Sequence, residues 1–223
     1  MTGPVPTQDT TNISSALNHP DRVIYLFLKR LVDIIASLLA IVLLSPVFIL
    51  AGLGIMSESK GPLFYRQTRV GLQGKHFNMW KFRSMQHNLS PADEARLLEA
   101  QGKAGVRFKM TDDPRITKVG KFIRQYSVDE LPQLFNVLFG DMSLVGPRPA
   151  IPSEVAEYTS RQMVRLQSMP GITCIWQVSG RSNIPFVQQA EMDIEYICKA
   201  NILLDLTLLL KTIPAVIFCK GAC

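Results

Sequence analysis

The chain has 223 residues, 47% hydrophobic and 19% charged, and its 24 Lys and Arg against 18 Asp and Glu give a net charge of +6. That balance excludes bulk disorder, and four Cys without a repeat exclude a fibrous or disulfide-stapled protein. A mean hydropathy of +0.15 is high for one ordinary soluble domain, so the position of the apolar excess matters.

Residues 1–20 are rich in Thr, Ser, Asn and Pro and are expected to form a disordered tail. Residues 21–60 hold the excess. From Ile34 to Met56 no residue is charged, a run longer than the roughly 20 residues that cross a hydrocarbon core. Ser45 and Pro46 interrupt it, and Pro46 both removes a backbone donor and crowds the preceding turn. Each arm is then too short to cross alone at about 1.5 Å per residue. Basic residues flank both ends: Arg22, Lys29 and Arg30 before, and Lys60, Arg66, Arg69 and Lys75 after. Lys and Arg favour the cytoplasmic side, so the pattern predicts a re-entrant helix-break-helix hairpin, with a single kinked crossing as the alternative.

Residues 61–223 read as a mostly helical α/β (α+β) cytosolic domain. Leu63–Tyr65 and His76–Phe82 are strand-like and separated by the turn formers Gly71 and Gly74. Within the second strand Lys81 and Arg83 alternate with Trp80 and Phe82, a solvated strand face or a functional pair. Pro91–Gln101 predicts a short helix, and Thr117–Gln125 a basic amphipathic one. Val128–Phe139 predicts a helix closed by Gly140, with Ser127 and Glu130 in capping-box spacing. Pro170-Gly171 reads as a turn, and Trp176 as a core anchor or a base platform. Ile202–Phe218 is apolar but carries Asp205 and Lys211, which makes an amphipathic helix lying in the membrane interface, or a core helix, more reasonable than a crossing.

The chemistry concentrates between Thr111 and Pro149. Asp129 and Glu130 are adjacent carboxylates, with Arg115, Lys118, Lys121 and Arg124 upstream and Arg148 between two prolines downstream. Carboxylates among arginines suit a divalent cation and phosphates, one carboxylate attacking phosphorus and the other holding metal. A helix start and nearby cations should keep Asp129 ionised at neutral pH. The Cys and His residues show no zinc spacing and no catalytic triad, and there is no Walker A or dinucleotide fingerprint. Nucleic acid is not an expected partner, because the basic residues follow the apolar segment and the carboxylates and form no single basic face.

The stretches YRQTRVG, KFRSM, DPRITKVGKFIR, SVDELPQLFNVLFGDMSLVGPRP, PGITCIWQVSGR and KTIPAV resemble the bacterial sugar transferase family, the monotopic phosphoglycosyl transferases. The resemblance runs from about Lys29 to the C-terminus and is similar to the exopolysaccharide-initiating branch in its catalytic-domain-only form. It implies transfer of a hexose 1-phosphate, galactose or glucose, from a UDP-sugar to polyprenyl phosphate at the bacterial inner membrane, facing the cytoplasm. By the resemblance Asp129 is the nucleophile that takes the phosphosugar, and Glu130 helps hold Mg²⁺. Arg124 and Arg148 face phosphate, Arg181 is a further phosphate- or nucleotide-side arginine, and Ser45-Pro46 is the break of the re-entrant helix. A homodimer is also implied. Tyr126, Val128 and Cys174 depart from the common pattern, which touches donor preference and leaves the charged groups intact. The competing reading is a catalytically silent membrane scaffold of a polysaccharide assembly complex.

Overall fold

The computed structural model describes residues 21–86 and 113–217; the expected tail and the Pro91–Gln101 helix lie outside them. Helix α1, Asp21–Leu43, is amphipathic in an inverted sense. Lys29, Asp33 and Ser37 recur every four residues, which puts them on one stripe, and that stripe is buried. Ile24, Phe27, Leu31, Ile35, Leu38 and Val42 are exposed.

The helix breaks where the sequence requires it. Pro46 has no N–H to give to the Val42 carbonyl four residues earlier, and the Ser45 hydroxyl donates to that carbonyl instead, at 2.8 Å. Helix α2, Ser45–Glu58, leaves at a 59° bend. Among the described residues no single helix is long and apolar enough to cross a membrane, whereas this bent pair meets that test together by length and composition. Ala51 and Ile55 of α2 pack with Phe82 and Ile123, while Ile49, Leu50, Leu53 and Met56 stay exposed.

Strands β1, Phe64–Val70, and β2, His76–Phe82, form an antiparallel hairpin in which Tyr65 faces Lys81 and Arg66 faces Trp80. The first strand is longer than the apolar pattern indicated, because its later residues are polar. Helix α3, Lys118–Gln125, starts at Thr117, whose hydroxyl accepts from the Gly120 N–H, and Glu58 at the end of α2 accepts from the N–H groups of Lys118 and Val119. The end of α2 therefore helps to set where α3 begins. Phe122 and Tyr126 extend the exposed apolar surface beside it.

The predicted Val128–Phe139 helix is two elements. Pro132 cannot donate to the Val128 carbonyl, so Val128–Glu130 closes as a 3₁₀ turn and helix α4 runs only from Gln133 to Phe139, ending as expected at left-handed Gly140. Ser127 sits at φ 55° and makes no side-chain cap, so the capping box does not form.

Strands β3, Ser143–Val145, and β4, Gly171–Thr173, pair in parallel, with the four-residue helix α5, Pro152–Val155, and a 3₁₀ segment, Gln162–Gln167, between them. Gly171 thus begins a strand and is not a turn residue. The backbones of Gly146 and Gly171 come so close that a Cβ on Gly146 would lie 2.3 Å from the Met169 carbonyl oxygen. Gly146→Ala is expected to cost about 1–3 kcal/mol, read as a lowered thermal midpoint.

Helices α6, Ile175–Ser179, α7, Phe186–Lys199, and α8, Ile202–Ile217, complete the fold. The main core gathers Met79, Leu134, Val137, Met142, Val145, Tyr196, Ile197 and Leu208. Trp176 is buried beside Asp193, a core position. Asp205 of α8 is not an interfacial charge: it is buried and accepts from Lys29 Nζ at 2.8 Å, Tyr196 Oη at 2.7 Å and Tyr25 Oη at 3.0 Å. Leu203, Leu206, Leu210 and Ile213 lie exposed on the same helix.

Two basic residues of the hairpin's first flank also turn inward, whereas Lys60, Arg66 and Lys75 of the second are exposed. Arg30 donates to the carbonyls of Val137 and Leu138 at the end of α4, and Lys29 holds Asp205. Asp33 accepts from the Leu144 N–H and the Ser143 hydroxyl. These charges fasten α1 to the domain, which a count of flanking Lys and Arg does not distinguish from solvated ones. The molecule is mostly helical with two small sheets, the expected α+β class.

Candidate active site

Asp129 and Glu130 occupy the 3₁₀ turn between α3 and α4. The left-handed Ser127 turns the chain out of α3, and Pro132 ends the turn, so the two carboxylates are presented on a short rigid corner. Strand β2 brings Lys81 to them: its Nζ donates to Glu130 Oε1 at 2.7 Å. Asn136 fixes that strand, accepting from the Trp80 N–H at 2.9 Å and donating to the Asn78 carbonyl at 2.8 Å. The turn after β3 supplies Arg148, whose Nη2 donates to the same Glu130 oxygen at 3.2 Å.

Burial alone would favour protonated Glu130, but Lys81 and Arg148 prevail and hold it well below the usual carboxylate range. Asp129 behaves in the opposite way. Burial pushes its pKa up to about 6, Lys81 opposes that, the Glu130 charge adds to it, and Arg124 and Arg148 pull it back. The expected depression by a helix start is absent, since the dyad heads a 3₁₀ turn and no helix proper. Asp129 is still mainly a carboxylate at neutral pH. The pair thus divides its roles: Glu130 is a fixed anion bracketed by cations, and Asp129 is an anion poised close to its proton.

Of the residues singled out in the sequence, Lys81, Arg124, Asp129, Glu130 and Arg148 come together. Arg83 goes elsewhere: it is buried, and its guanidinium donates to the Ser59 and Lys60 carbonyls at 2.6 Å each, closing the end of α2. Alternation does not explain the split, since the two residues share strand parity; Arg83 lies one residue past β2, where the carbonyls at the end of α2 take its guanidinium. Arg181 opens a separate 3₁₀ turn, Arg181–Asn183, at φ 52°, outside the ion-paired cluster. Asn136 and Arg69 were not singled out. Arg69 looked like a membrane flank, yet it is near Arg148, and burial together with that neighbour brings its pKa down to about 10. An arginine before a glycine turn gives no sequence signal of this placement.

Among the described residues no three His, Cys, Asp or Glu side chains cluster as a complete metal cage. Two adjacent carboxylates are what Mg²⁺ ordinarily takes from a protein when substrate phosphates and water fill the other positions. Lys81 and Arg148 both contact Glu130 Oε1, and among the described residues no hydrogen bond falls on Oε2. The donor set therefore fits a magnesium–phosphate site.

Residues 24–219 match the profile described as bacterial sugar transferase. The chain belongs to the bacterial sugar transferase family. It is 42% identical over 199 residues to "Galactosyl transferase CpsE" of Streptococcus agalactiae, covering 89% of this chain and 44% of that protein. It is 38% identical over 203 residues to "Exopolysaccharide production protein ExoY" of Sinorhizobium fredii, covering 87% of each. It is 41% identical over 199 residues to "Undecaprenyl-phosphate galactose phosphotransferase" of Salmonella typhimurium, covering 88% of this chain and 42% of that protein. The chain thus spans less than half of some relatives and most of the ExoY protein. The matched region includes α1 from residue 24 onward, the carboxylate pair and α8, so the family likeness covers the hairpin as well as the site.

Proposed function

We propose that the chain transfers a sugar 1-phosphate from a UDP-sugar to polyprenyl phosphate through a phosphosugar carried on Asp129, at the cytoplasmic face of a bacterial inner membrane. The observation that carries the reading is the paired geometry of the dyad: Glu130 locked by Lys81 and Arg148, and Asp129 beside it among the same cations without a salt-bridge partner among the described residues. Relatives named for transfer of galactose or glucose 1-phosphate units to undecaprenyl phosphate support the reaction class and the two hexoses as first donors to test.

An Asp129 Oδ attacks the β-phosphorus of the donor. The bond from that phosphorus to the bridging oxygen breaks, and UMP leaves with the electron pair. A phosphate oxygen of the polyprenyl acceptor then attacks the acyl phosphate, regenerating the Asp129 carboxylate and yielding the lipid diphosphate sugar. Arg148, Arg124 and Lys81 neutralise phosphate charge along the way. Mg²⁺, held by Glu130 and Asp129 with the diphosphate, would supply further charge neutralisation. Glu130 stays ionised because its two cations favour the carboxylate. Two successive displacements let one small site serve a water-soluble donor and a lipid acceptor in turn.

The membrane reading rests on the inverted α1. Its polar stripe is buried in the protein and its apolar residues face outward, together with those of α2 and α8. Phe122 on α3 and Tyr126 at its C-terminal cap, with ring centroids 5.0 Å apart, are also exposed, the second three residues before Asp129. A re-entrant hairpin places both flanks on one side of the bilayer. Single cysteines introduced at residues 22 and 60 should both be labelled from the same face of sealed vesicles, and one protected flank would mean a crossing.

The test of the reaction incubates membrane-embedded protein with Mg²⁺, polyprenyl phosphate and a panel of UDP-sugars, and measures UMP. Release with UDP-galactose or UDP-glucose is expected; silence across the panel would favour a scaffold, a reading that the intact dyad with its ion-paired Glu130 opposes. The pH profile should also be diagnostic. The raised Asp129 pKa means that the nucleophilic form is lost as pH falls through about 6, so kcat/KM should drop roughly tenfold per unit below that value.

A further inference from the structure

The turn Gly146-Pro147-Arg148-Pro149 presents the only side chain from its strand end that reaches Glu130 among the described residues, and neither proline can donate a backbone hydrogen bond. What holds it is a row of donors on its carbonyls. The Gly171 N–H donates to the Pro147 oxygen at 2.9 Å, Arg165 Nη2 to the Arg148 oxygen at 3.3 Å, Arg69 Nη1 to the Pro149 oxygen at 3.0 Å, and the Val70 N–H to the Ala150 oxygen at 2.9 Å. Two of the four donors are backbone groups fixed by strand pairing. The other two are guanidiniums that approach from different elements, Arg69 from β1 and Arg165 from the Gln162–Gln167 segment.

Both guanidiniums are themselves held. Arg165 is buried, forms an ion pair with buried Asp193 at 2.7 Å, donates to Tyr158 Oη, and stacks near the rings of Tyr158 and Phe186, each 5.5 Å away. Arg69 Nη2 donates to Gln67 Oε1 at 2.6 Å, and its Nε is buried without a partner among the described residues. Burial and the neighbouring Arg148 charge disfavour the Arg69 cation, while Glu154 and Glu130 favour it, so its charge belongs to the same electrostatic neighbourhood as the dyad.

We infer that Arg69 and Arg165 are positioning residues for donor binding: by holding the carbonyls of Arg148 and Pro149 they keep the Arg148 guanidinium aimed at the dyad and the donor diphosphate. The inference rests on the proposed reading of the site as a UDP-sugar site. A planar guanidinium is needed at Arg165, because one side chain meets Asp193, Tyr158 and the Arg148 carbonyl together, and an ammonium point charge cannot span all three.

The test is a double-mutant cycle read on UDP binding, measured by calorimetry on the full chain in lipid nanodiscs with Mg²⁺. Arg69→Lys and Arg165→Lys should each weaken UDP about tenfold or more in the otherwise native chain, since small misplacements of a binding group are costly. In an Arg148→Ala background the same changes should weaken UDP less than about twofold, because the group they position is gone. Equal losses in both backgrounds would overturn the inference, because the two arginines would then act on UDP independently of Arg148. Should Arg165→Lys fail to fold, the Arg69→Lys arm decides alone, as that residue lies on a hairpin edge. Native chain that binds no UDP would defeat the donor-site reading itself, an outcome distinct from an additive cycle in a chain that does bind. Binding is scored without turnover, so UMP release remains an independent check on the reaction.

Discussion

Asp129→Asn should fold, remain membrane-bound and transfer nothing. The substitution keeps shape and removes the only group that the proposed reaction attacks with, so UMP release should fall by at least about 10³-fold, in line with losses when a nucleophile is removed elsewhere. Glu130 remains bracketed by Lys81 and Arg148 in the variant, so the cations around the site lose only one of their two counter-charges. Donor binding should therefore survive, and loss of turnover with retained UDP affinity is the expected signature. Turnover that persists at the native rate would remove Asp129 from the mechanism.

The largest stability effect is expected outside the dyad, at the contact between α1 and α8. Lys29 and Asp205 are nearly buried, 9% and 7% exposed at their side chains, and 2.8 Å apart. Lys29→Met leaves Asp205 buried with only the Tyr25 and Tyr196 hydroxyls as partners. Stranding one half of a buried ion pair typically costs about 3–5 kcal/mol. In a chain of this size that lowers the thermal midpoint by about 10 °C. Combining Lys29→Met with Asp205→Leu should recover much of the loss, because replacing both ions by apolar groups of similar volume is often neutral. A single variant as stable as the native chain would mean that α1 is held by its other ties, Arg30 on α4 and Asp33 on β3.

The sequence was most legible where one residue dictates the backbone. Pro46 announced the break, and the structure puts it there because the Val42 carbonyl loses its donor. Gly140 announced the end of α4, and Thr117 heads α3 as the amphipathic pattern required. The carboxylate pair and Arg148 were legible as a site because adjacent carboxylates among arginines suit a divalent cation and phosphates.

What escaped was set by tertiary pairing. Pro132 was present in the sequence, but a helical reading of Val128–Phe139 gave too little weight to the donor it removes, so the 3₁₀ turn and the unformed capping box were missed. Lys81 and Arg83 looked equivalent in the strand; only the pairing with β1 and the end of α2 sends one to Glu130 and the other to Ser59 and Lys60. Lys29, Arg30 and Arg69 looked like solvated membrane flanks, and the inward stripe of α1 and the close approach of β1 to the Arg148 turn reverse that. Asp129 was expected to be held firmly ionised, whereas burial lifts it to about 6, a shift that composition and spacing do not carry.

The claim on which the account depends is the covalent phosphosugar on Asp129, and it can be weighed directly. Membrane-embedded protein is mixed with UDP-galactose or UDP-glucose and Mg²⁺ in the absence of polyprenyl phosphate, quenched with acid, and analysed by intact and peptide mass spectrometry. The expected result is a mass gain of one phosphohexose on the peptide that contains Asp129, released on adding polyprenyl phosphate and absent in Asp129→Asn. Active protein that never acquires the adduct, and releases UMP only when both substrates are present, would contradict the account.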